Sequence, residues 1–361
     1  MTRNNTTVIN IAAGTYNESI AFDKKNIALN GAGKASTFIV GNNTSATVNV
    51  FGARLDIANL TIKNGNPGLG GTSANIRCTN TVVQNSPQGI AINSNSFLDF
   101  QNGSIKSNGG NGINLWQNSS VNIGNSTISQ NAGGINAGMS SSVTINGSTI
   151  SQNGSSGIFL GGASSGNINS STISQHTWVG INVGGASNAD IWNSTLSGNQ
   201  MAGIFVSSSS SASLQSSTVS GNTQNGVYVD QQASLRLNGG NKITANGTKQ
   251  QDSAIVVMKN SMITIQRNNP SFAMDSITLN SGRGISGTEN SIVFMLDGIV
   301  DNNGSDGVSL SSDALGSFTA STTITNNKGW GVYCDYSSHY NGGLGTVSGN
   351  TSAWQVACLH F

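Results

Sequence analysis

The chain has 361 residues, of which only 8% are charged, and its formal net charge is +1 at pH 7. Nucleic-acid binding needs clustered Lys and Arg, so this nearly neutral composition without a basic run excludes a nucleic-acid partner. No apolar run approaches the roughly 18 residues of a membrane-spanning helix, and no membrane span is predicted. Ser, Thr, Asn and Gly make up most of the predicted surface.

The N-terminal part, residues 1–106, is the least regular in its spacing. Short alternations of apolar and polar residues, beginning at Val8, predict half-buried strands. Pro67, Pro87 and a glycine-rich segment at residues 65–71 predict a coil with a longer turn.

A repeat of about 23 residues organises the stretch from Gly103 to Val229. One signature is Gly-Ile or Gly-Val, and the other is Ser-Thr-Ile-Ser or a variant that closes on an amide. The repeat glycines are Gly112, Gly134, Gly157, Gly180, Gly203 and Gly226. One such loop of chain cannot bury its own apolar face, so the period indicates a solenoid. The predicted fold is all-β: one right-handed parallel β-helix of roughly fifteen coils with about 23 residues per coil.

Equivalent residues of successive coils are expected to stack in columns, with the isoleucines of both signatures facing inward. The closing amides are expected to form an asparagine ladder, because an Asn side chain can bond a stacked neighbour. Its predicted members are Asn108, Asn131, Asn153, Asn199, Asn222 and Asn246. His176 interrupts the ladder, either as a tolerated turn substitution or as a site residue.

The period fails between residues 230 and 306, where the step between Gly-Ile positions rises to 28 and then 30 residues. The excess predicts loops near residues 246–253 and 267–275, and charged residues concentrate around them. Functional residues on rigid scaffolds tend to lie on such loops. A longer loop can also be charged simply because it is exposed to solvent. The regular stretch between Lys106 and Asp230 carries one charged residue, Asp190, which makes it a poor place for acid–base chemistry.

The regular step returns at Gly307. Cys334 and Cys358 lie one coil apart in matching contexts, and both a disulfide and two stacked free thiols suit that spacing. Cys78 is predicted to be a lone core thiol. The whole chain, residues 1–361, is predicted to be a single domain. Its parts are N-terminal coils 1–106, a regular shaft 107–229, coils with longer loops 230–306, and C-terminal coils with a cap 307–361.

The segments Val8 to Ile20 and Asn26 to Ile39 resemble the opening coils of the pectate-lyase-like superfamily of right-handed β-helices, especially pectin methylesterases. The later Gly-Ile repeats are similar to the carbohydrate-binding and periplasmic copper-protein repeats of that superfamily. The resemblance implies the fold and a carbohydrate-active role. The catalytic motifs of the known enzymes are not found, and Asp99-Phe100 is only a two-residue echo of the pectin methylesterase pattern.

The candidate catalytic residues lie where the outward face of the Gly-Ile column meets the longer loops. Asp230 is predicted to act as an acid or base, with Asp252, Arg267 and Lys259 as charge stabilisers. Aromatic rings stack on sugar faces and amides bond sugar hydroxyls, although surface aromatics also pair with one another for stability. The predicted substrate-binding residues are Tyr228, Phe205, Phe159, Trp116 and Asn182.

No metal or other cofactor is predicted, because His176, His339 and His360 do not fall into ligand spacing. The predicted function is extracellular binding of a polysaccharide, with cleavage or modification by a lyase, hydrolase or epimerase reaction. The alternative is a non-catalytic surface stalk, adhesin or assembly protein. A remote third interpretation is an ice-binding solenoid, suggested by a threonine column. Its members are Thr127, Thr149, Thr172, Thr195 and Thr218. We expect an extracellular or cell-surface location, although this sequence carries no visible signal peptide.

Overall fold

A computed structural model of the protein describes residues 6–352 and 355–360, with the backbone alone at residues 359 and 360. The chain forms two compact units, of which one ends at Thr172 and the other begins at Ile173. Every regular element in these residues is a β-strand. The described part of the chain contains no helix long and apolar enough to cross a membrane. The single domain with four subdivisions stays a prediction.

The strands of the first unit are short and evenly spaced. In chain order they are β1 (Thr7–Ile11), β2 (Gly14–Tyr16), β3 (Ile20–Asp23), β4 (Ile27–Gly31), β5 (Thr37–Val40), β6 (Val48–Phe51), β7 (Arg54–Ala58), β8 (Thr61–Lys63), β9 (Leu69–Thr72), β10 (Asn75–Thr79), β11 (Val82–Gln84), β12 (Ile90–Asn93), β13 (Phe97–Gln101), β14 (Ser104–Lys106), β15 (Asn111–Leu115), β16 (Ser120–Gly124), β17 (Thr127–Ser129), β18 (Gly133–Ala137), β19 (Ser142–Asn146), β20 (Thr149–Ser151), β21 (Ile158–Leu160) and β22 (Ser165–Asn169).

The next strand, β23 (Thr172–Ser174), begins on the last residue of the first unit. The second unit continues with β24 (Ile181–Val183), β25 (Asn188–Trp192), β26 (Thr195–Ser197), β27 (Ala202–Val206), β28 (Ser211–Gln215), β29 (Thr218–Ser220), β30 (Asn225–Val229), β31 (Ser234–Leu237), β32 (Lys242–Thr244), β33 (Ser253–Val257), β34 (Met262–Ile265), β35 (Ser276–Thr278), β36 (Arg283–Gly287), β37 (Ile292–Met295), β38 (Gly298–Asp301), β39 (Val308–Leu310), β40 (Leu315–Phe318), β41 (Thr322–Thr325), β42 (Val332–Cys334), β43 (His339–Gly342), β44 (Thr346–Ser348), β45 (Val356–Ala357) and β46 (Leu359–His360).

Each turn of the solenoid contributes one strand to each of three sets, which we name A, B and C in chain order from β1. In the first unit, set A runs β1-β4-β7-β10-β13-β16-β19-β22, set B from β2 to β20 and set C from β3 to β21, each by steps of three strands. In the second unit, set A runs from β25 to β46, set B from β26 to β44 and set C from β24 to β45 in the same way. Neighbouring strands pair in parallel, and about 15 turns of about 23 residues result, as predicted.

The predicted inward columns form the core of each unit. In the first unit, Ile113, Ile135 and Ile158 occupy adjacent rungs of set C and are at most 2% exposed. Close packing between turns requires the repeat glycine that precedes Ile135. A Cβ atom added at Gly134 would lie 2.0 Å from the carbonyl oxygen of Gly157 in the next turn, so no larger residue fits there.

The predicted asparagine ladder occupies the corner between sets B and C. In the first unit, Asn108 Nδ2 donates to Asn131 Oδ1 at 2.8 Å, and Asn131 Nδ2 donates to Asn153 Oδ1 at 3.1 Å. In the second unit the ladder runs past Asn246, which was its last predicted member. The additional rungs are Asn280, Asn303, Asn327 and Asn350. His176 is fully buried, and its backbone N–H donates to Asn199 Oδ1 at 3.1 Å, so its main chain follows the ladder.

A second ladder, which the sequence analysis missed, occupies the corner between sets A and B. In the first unit, the backbone N–H of Ser126 donates to Ser148 Oγ at 3.1 Å. In the second unit the residue type changes along the same ladder. The backbone N–H of Ser217 donates to Asn241 Oδ1 at 3.0 Å, and that of Asn241 to Asp275 Oδ1 at 3.0 Å. A buried carboxylate thus ends a row that begins with hydroxyls.

The cysteines are distributed as one bridge and one core thiol. Cys334 and Cys358 are joined by a disulfide, with their Cα atoms 4.8 Å apart, which decides between the two alternatives left open by their spacing. Cys78 is buried, and burial raises the pKa of its thiol far above the ordinary value, so it is unreactive as a thiolate. The apolar residues expected to cover the last coil include Trp354 and Phe361, which lie outside the described residues.

Candidate functional site

The outward column predicted for set C exists in the second unit. Asn182, Phe205 and Tyr228 lie on adjacent rungs. The rings of Phe205 and Tyr228 meet edge to face with centroids 5.3 Å apart, and Trp178, which the sequence analysis did not assign, meets Phe205 at 6.5 Å. Asn182 is only 5% exposed, so its amide is less accessible than expected. The surface that remains is a row of three rings.

Tyr228 is a hydrogen-bond donor rather than a base. Its hydroxyl donates to the sulfur of Met258 at 2.8 Å. Burial raises its pKa above the ordinary value, and the negative charges of Asp230 and of Glu289 raise it further, against a lowering by Lys259. The hydroxyl therefore stays protonated at neutral pH. Glu289, an exposed corner residue near this site, is a second residue that sequence reasoning missed.

Asp230 directly follows β30 and is only 6% exposed, although it was predicted to point outward. Its Oδ2 lies 3.4 Å from Lys259 Nζ, so the structure brings these two predicted residues together. Its Oδ1 is buried and has no hydrogen-bond partner among the described residues. Burial of a carboxylate oxygen without a partner costs stability, and such groups in folded proteins call for an explanation.

A solvent-facing depression of about 430 Å³ adjoins this pair at the corner between sets C and A. It is lined by Ser208, Ser209, Gln231, Gln232, Lys259 and Asn260. These residues form consecutive pairs, one pair per turn, and both members of each pair have positive φ angles. The same backbone conformation recurs at Glu289 and Asn290 in the next turn, so it is the regular geometry of this corner and not strain specific to the site. Lys259, whose side chain is 45% exposed, connects the depression with the buried carboxylate of Asp230.

Asp252 and Arg267 do not join this pair. Asp252 precedes β33 and accepts the backbone N–H groups of Thr248 and Lys249, both at 2.8 Å, so it holds its own loop. A five-residue strand of set C, about 16 Å long, separates its corner from that of Asp230.

Arg267 follows β34, at the far end of set A from Asp230. Its Nε donates to Asp297 Oδ2 at 2.7 Å and its backbone N–H to Asp297 Oδ1 at 2.9 Å. It therefore fastens the loop at residues 266–275. The two long loops occur where they were predicted, but they lie at different corners of the solenoid.

The first unit carries the other two predicted aromatic residues. Phe159 lies in the outward column of set C, next to Asn136, and Trp116 directly follows β15. Both side chains are 37% exposed. Asn136 Nδ2 donates to Asn114 Oδ1 at 2.7 Å, so the amides beside the rings are already paired with each other.

Within residues 6–352 and 355–360, no group of three or more His, Cys, Asp or Glu side chains is arranged to hold a metal ion. The threonines of the second signature do face outward. Thr127 and Thr149 pair in the first unit, and Thr195 and Thr218 in the second, each half-buried. The ice-binding interpretation stays a prediction.

Three strands per turn, parallel pairing and internal ladders define a protein of the parallel β-solenoid class. A sequence model described as "right handed beta helix region" matches residues 39–201 and 111–270. These matches span more than half of the chain, which therefore belongs to the right-handed β-helix family. No curated protein sequence matches the chain.

Solved structures with a similar chain path include the A-module of mannuronan C-5 epimerase AlgE6 from Azotobacter vinelandii. It is 16% identical over 96% of this chain and 90% of its own, with a TM-score of 0.47. The catalytic domain of a GH87 alpha-1,3-glucanase in complex with nigerose is 18% identical over 95% of this chain and 64% of its own, with a TM-score of 0.40. A chain of the Vag8–C1 inhibitor complex is 12% identical over 99% of both chains, with a TM-score of 0.47. Similarities this distant concern the fold alone.

Proposed function

We propose that the protein binds an extracellular polysaccharide along the outward column of set C in the second unit, and that Asp230 transfers a proton in a lyase- or epimerase-type reaction on it. The three rings of Trp178, Phe205 and Tyr228 supply the apolar surface on which sugar faces stack. Gln231, Gln232 and Ser208 at the adjoining depression supply donors and acceptors for hydroxyl groups.

The observation that carries the proposal is the unpartnered Oδ1 of Asp230. A purely structural carboxylate at this depth would be expected to accept hydrogen bonds at both oxygens, as Asp297 does from Arg267. At Asp230, Oδ2 faces Lys259, and Oδ1 has no hydrogen-bond partner among the residues that the structure describes. A general base needs a carboxylate oxygen that is free to accept a proton, and substrate binding would have to bring that proton within hydrogen-bond reach of Oδ1.

The ammonium group of Lys259 would stabilise the carboxylate of Asp230 before the reaction. During the reaction it would neutralise the negative charge that develops on the substrate. A single buried carboxylate beside a cation suits proton abstraction. Glycoside hydrolysis commonly uses two carboxyl groups on either side of the bond, and the other nearby acid, Glu289, stands on an exposed corner two turns further along. The arrangement therefore favours a lyase or epimerase over a hydrolase.

An extracellular or cell-surface location fits the same proposal. The disulfide between Cys334 and Cys358 is of a kind that persists in oxidising compartments. The sparse charge and the hydroxyl- and amide-rich surface suit contact with hydrated polymers.

The test is a panel of uronic-acid and neutral polysaccharides, followed by ultraviolet absorbance for unsaturated ends, NMR for epimerised residues and a reducing-end assay for hydrolysis. The Asp230→Asn variant should lose activity by about 100-fold or more, as expected for loss of a general base. Asp313→Asn, a change of the same kind at an exposed corner residue, should keep full activity. Equal activity of the Asp230→Asn variant and the wild type would refute the catalytic role.

The non-catalytic stalk or adhesin remains the second candidate, favoured by the absence of charged residues between 107 and 172 and by the continuous ladders. Binding to a polymer of the panel that survives Asp230→Asn, without any product, would support it. Loss of binding after Phe205→Ala or Tyr228→Ala would then still assign the ring surface as the binding face.

A further inference from the structure

A polar groove of about 400 Å³ opens on the outward side of set A in the second unit, on the other side of the corner from the rings. Asp190, Ser213 and Arg236 lie on adjacent rungs of β25, β28 and β31 and form its floor. The remaining lining residues are polar, apart from the buried Ala189 and Ala212. They include Asn188, Ser211, Ser234, Asn238 and Asn268.

Arg236 is the one described arginine without a carboxylate partner. Arg54, Arg77, Arg267 and Arg283 each have one within 4 Å, at Asp56, Asp99, Asp297 and Asp306 respectively. The exposed guanidinium of Arg236 makes no hydrogen bond or ion pair with any residue that the structure describes. Its planar set of N–H donors is therefore free to bind an oxyanion from solution.

The carboxylate of Asp190 does not neutralise Arg236. Asp190 lies two rungs away, which is about 10 Å at the usual spacing between strands. The Ser213 hydroxyl, on the rung between them, donates to Asp190 Oδ1 at 2.5 Å. The groove thus holds a cation and an anion apart, one at each end of a serine-lined floor.

The wall formed by the long loop is held in place before any ligand arrives. The backbone N–H of Asn268 donates to the carbonyl oxygen of Asn238 at 3.2 Å. The preceding residue, Arg267, is fixed by its two hydrogen bonds to Asp297. A preformed wall lowers the ordering cost of binding, and this gives Arg267 a supporting role in place of the catalytic one first predicted.

We infer that this groove is a binding site for a hydroxylated ligand that carries an oxyanion, either the carboxylate of an acidic sugar or a sulfate ester. The oxyanion would accept hydrogen bonds from Arg236, and a hydroxyl group of the same ligand would donate to Asp190. The lining contains no aromatic residue, so the site selects by charge and hydrogen bonding and not by ring stacking. The inference does not depend on Asp230 being catalytic.

Isothermal titration calorimetry with three probes tests it: a uronic-acid trisaccharide, a neutral trisaccharide, and the neutral trisaccharide with one sulfate ester. The wild type should bind at least one anionic probe and bind the neutral one at least about tenfold more weakly, as charge-assisted hydrogen bonds imply. Arg236→Gln should weaken the anionic probe by about tenfold or more. The anionic probe whose affinity falls in the Arg236→Gln variant shows whether the oxyanion is a sugar carboxylate or a sulfate ester.

Lys242→Gln is the matched control, because Lys242 is an exposed cation of the same unit on set B and its loss changes the net charge equally. Its affinity for the probes should stay within about twofold of the wild type, as expected for screened surface charge. Equal weakening in both variants, equal binding of neutral and anionic probes, or no binding of any probe would each overturn the inference. Asp230→Asn should leave the Arg236-dependent binding intact, which separates this site from the proposed catalytic one.

Discussion

Residues 107–172 of the first unit and residues 230–306 of the second are built on the same three-strand turn, yet only the second carries charge. The first stretch contains no Asp, Glu, Lys or Arg, and its corner ladder is made of serines. In the second, the same ladder position passes to Asn241 and then to Asp275. Insertions at the corners therefore leave the ladders connected while the side chains on them change. Chemistry can be added to this solenoid without interrupting its hydrogen bonding.

The largest effect that tests this comparison concerns the asparagine ladder. Asn246→Ala removes an amide that donates to Asn280 Oδ1 and Val219 O and accepts from Asn222. The buried partners left behind should lower the free energy of unfolding by about 3 kcal/mol, as for other buried groups that lose a partner. Urea unfolding followed by circular dichroism measures it.

Asn131→Ala is the corresponding change in the regular stretch, and it should cost about as much, since Asn131 makes the same set of contacts. Gln215→Ala, on the outward face of β28, should change stability by less than about 0.5 kcal/mol. A cost at Asn131 without one at Asn246 would mean that the ladder is not continuous past the insertions.

The next effect in size concerns Asp275. Burial raises its pKa to about 6 from an ordinary value of 3.8, against the lowering by hydrogen bonds from Asn241 and Gly239, and Asp297 adds to the rise. Between these two pH values the folded protein keeps a proton that the unfolded chain releases. Stability should therefore fall as pH rises from about 4 to about 6, by roughly 2–3 kcal/mol.

Asp275→Asn should abolish that decline, which thermal unfolding across this pH range would detect. Asp313→Asn, at an exposed carboxylate of the same unit, should leave the decline unchanged. An unchanged slope in the Asp275 variant would show that another group is responsible and that the ladder tolerates a charged carboxylate.

The smallest effect concerns the aromatic residues of the two units. Tyr228→Leu removes an edge-to-face contact with Phe205 and should destabilise the protein by about 1 kcal/mol. Phe159→Leu, at an outward ring of the first unit without a ring partner among the described residues, should cost less than about 0.5 kcal/mol. Equal costs from both changes would indicate that ring pairing adds nothing to the stability of the second unit.

Periodicity accounts for what could be predicted from the sequence. A residue's column follows from its place in the repeat, so the inward isoleucines, the ladder through Asn246 and the Phe205–Tyr228 contact all follow from spacing. The later rungs carry the same signal: Asn280 follows a lengthened step of 34 residues, and the rungs after it return to steps of 23 or 24 residues.

Residues inside the inserted loops could not be placed in this way, because no repeat specifies them. Asp252 caps its own loop and Arg267 binds Asp297, and both contacts depend on loop paths that have no counterpart in other turns. The polar groove on set A is a different case. Asp190, Ser213 and Arg236 follow one another at a constant step of 23 residues, so their alignment was readable from the sequence.

The asparagine ladder also has a consequence for how such a chain can change in length over evolution. Each rung takes its partner from the next turn at the same position, as Asn222 does from Asn246 and Asn246 from Asn280. A gene duplication that adds one whole turn would give every amide an equivalent partner, whereas one that adds part of a turn would misalign the amides beyond it. Selection for hydrogen bonding alone would therefore favour length changes in whole turns, with extra residues admitted only at the corners.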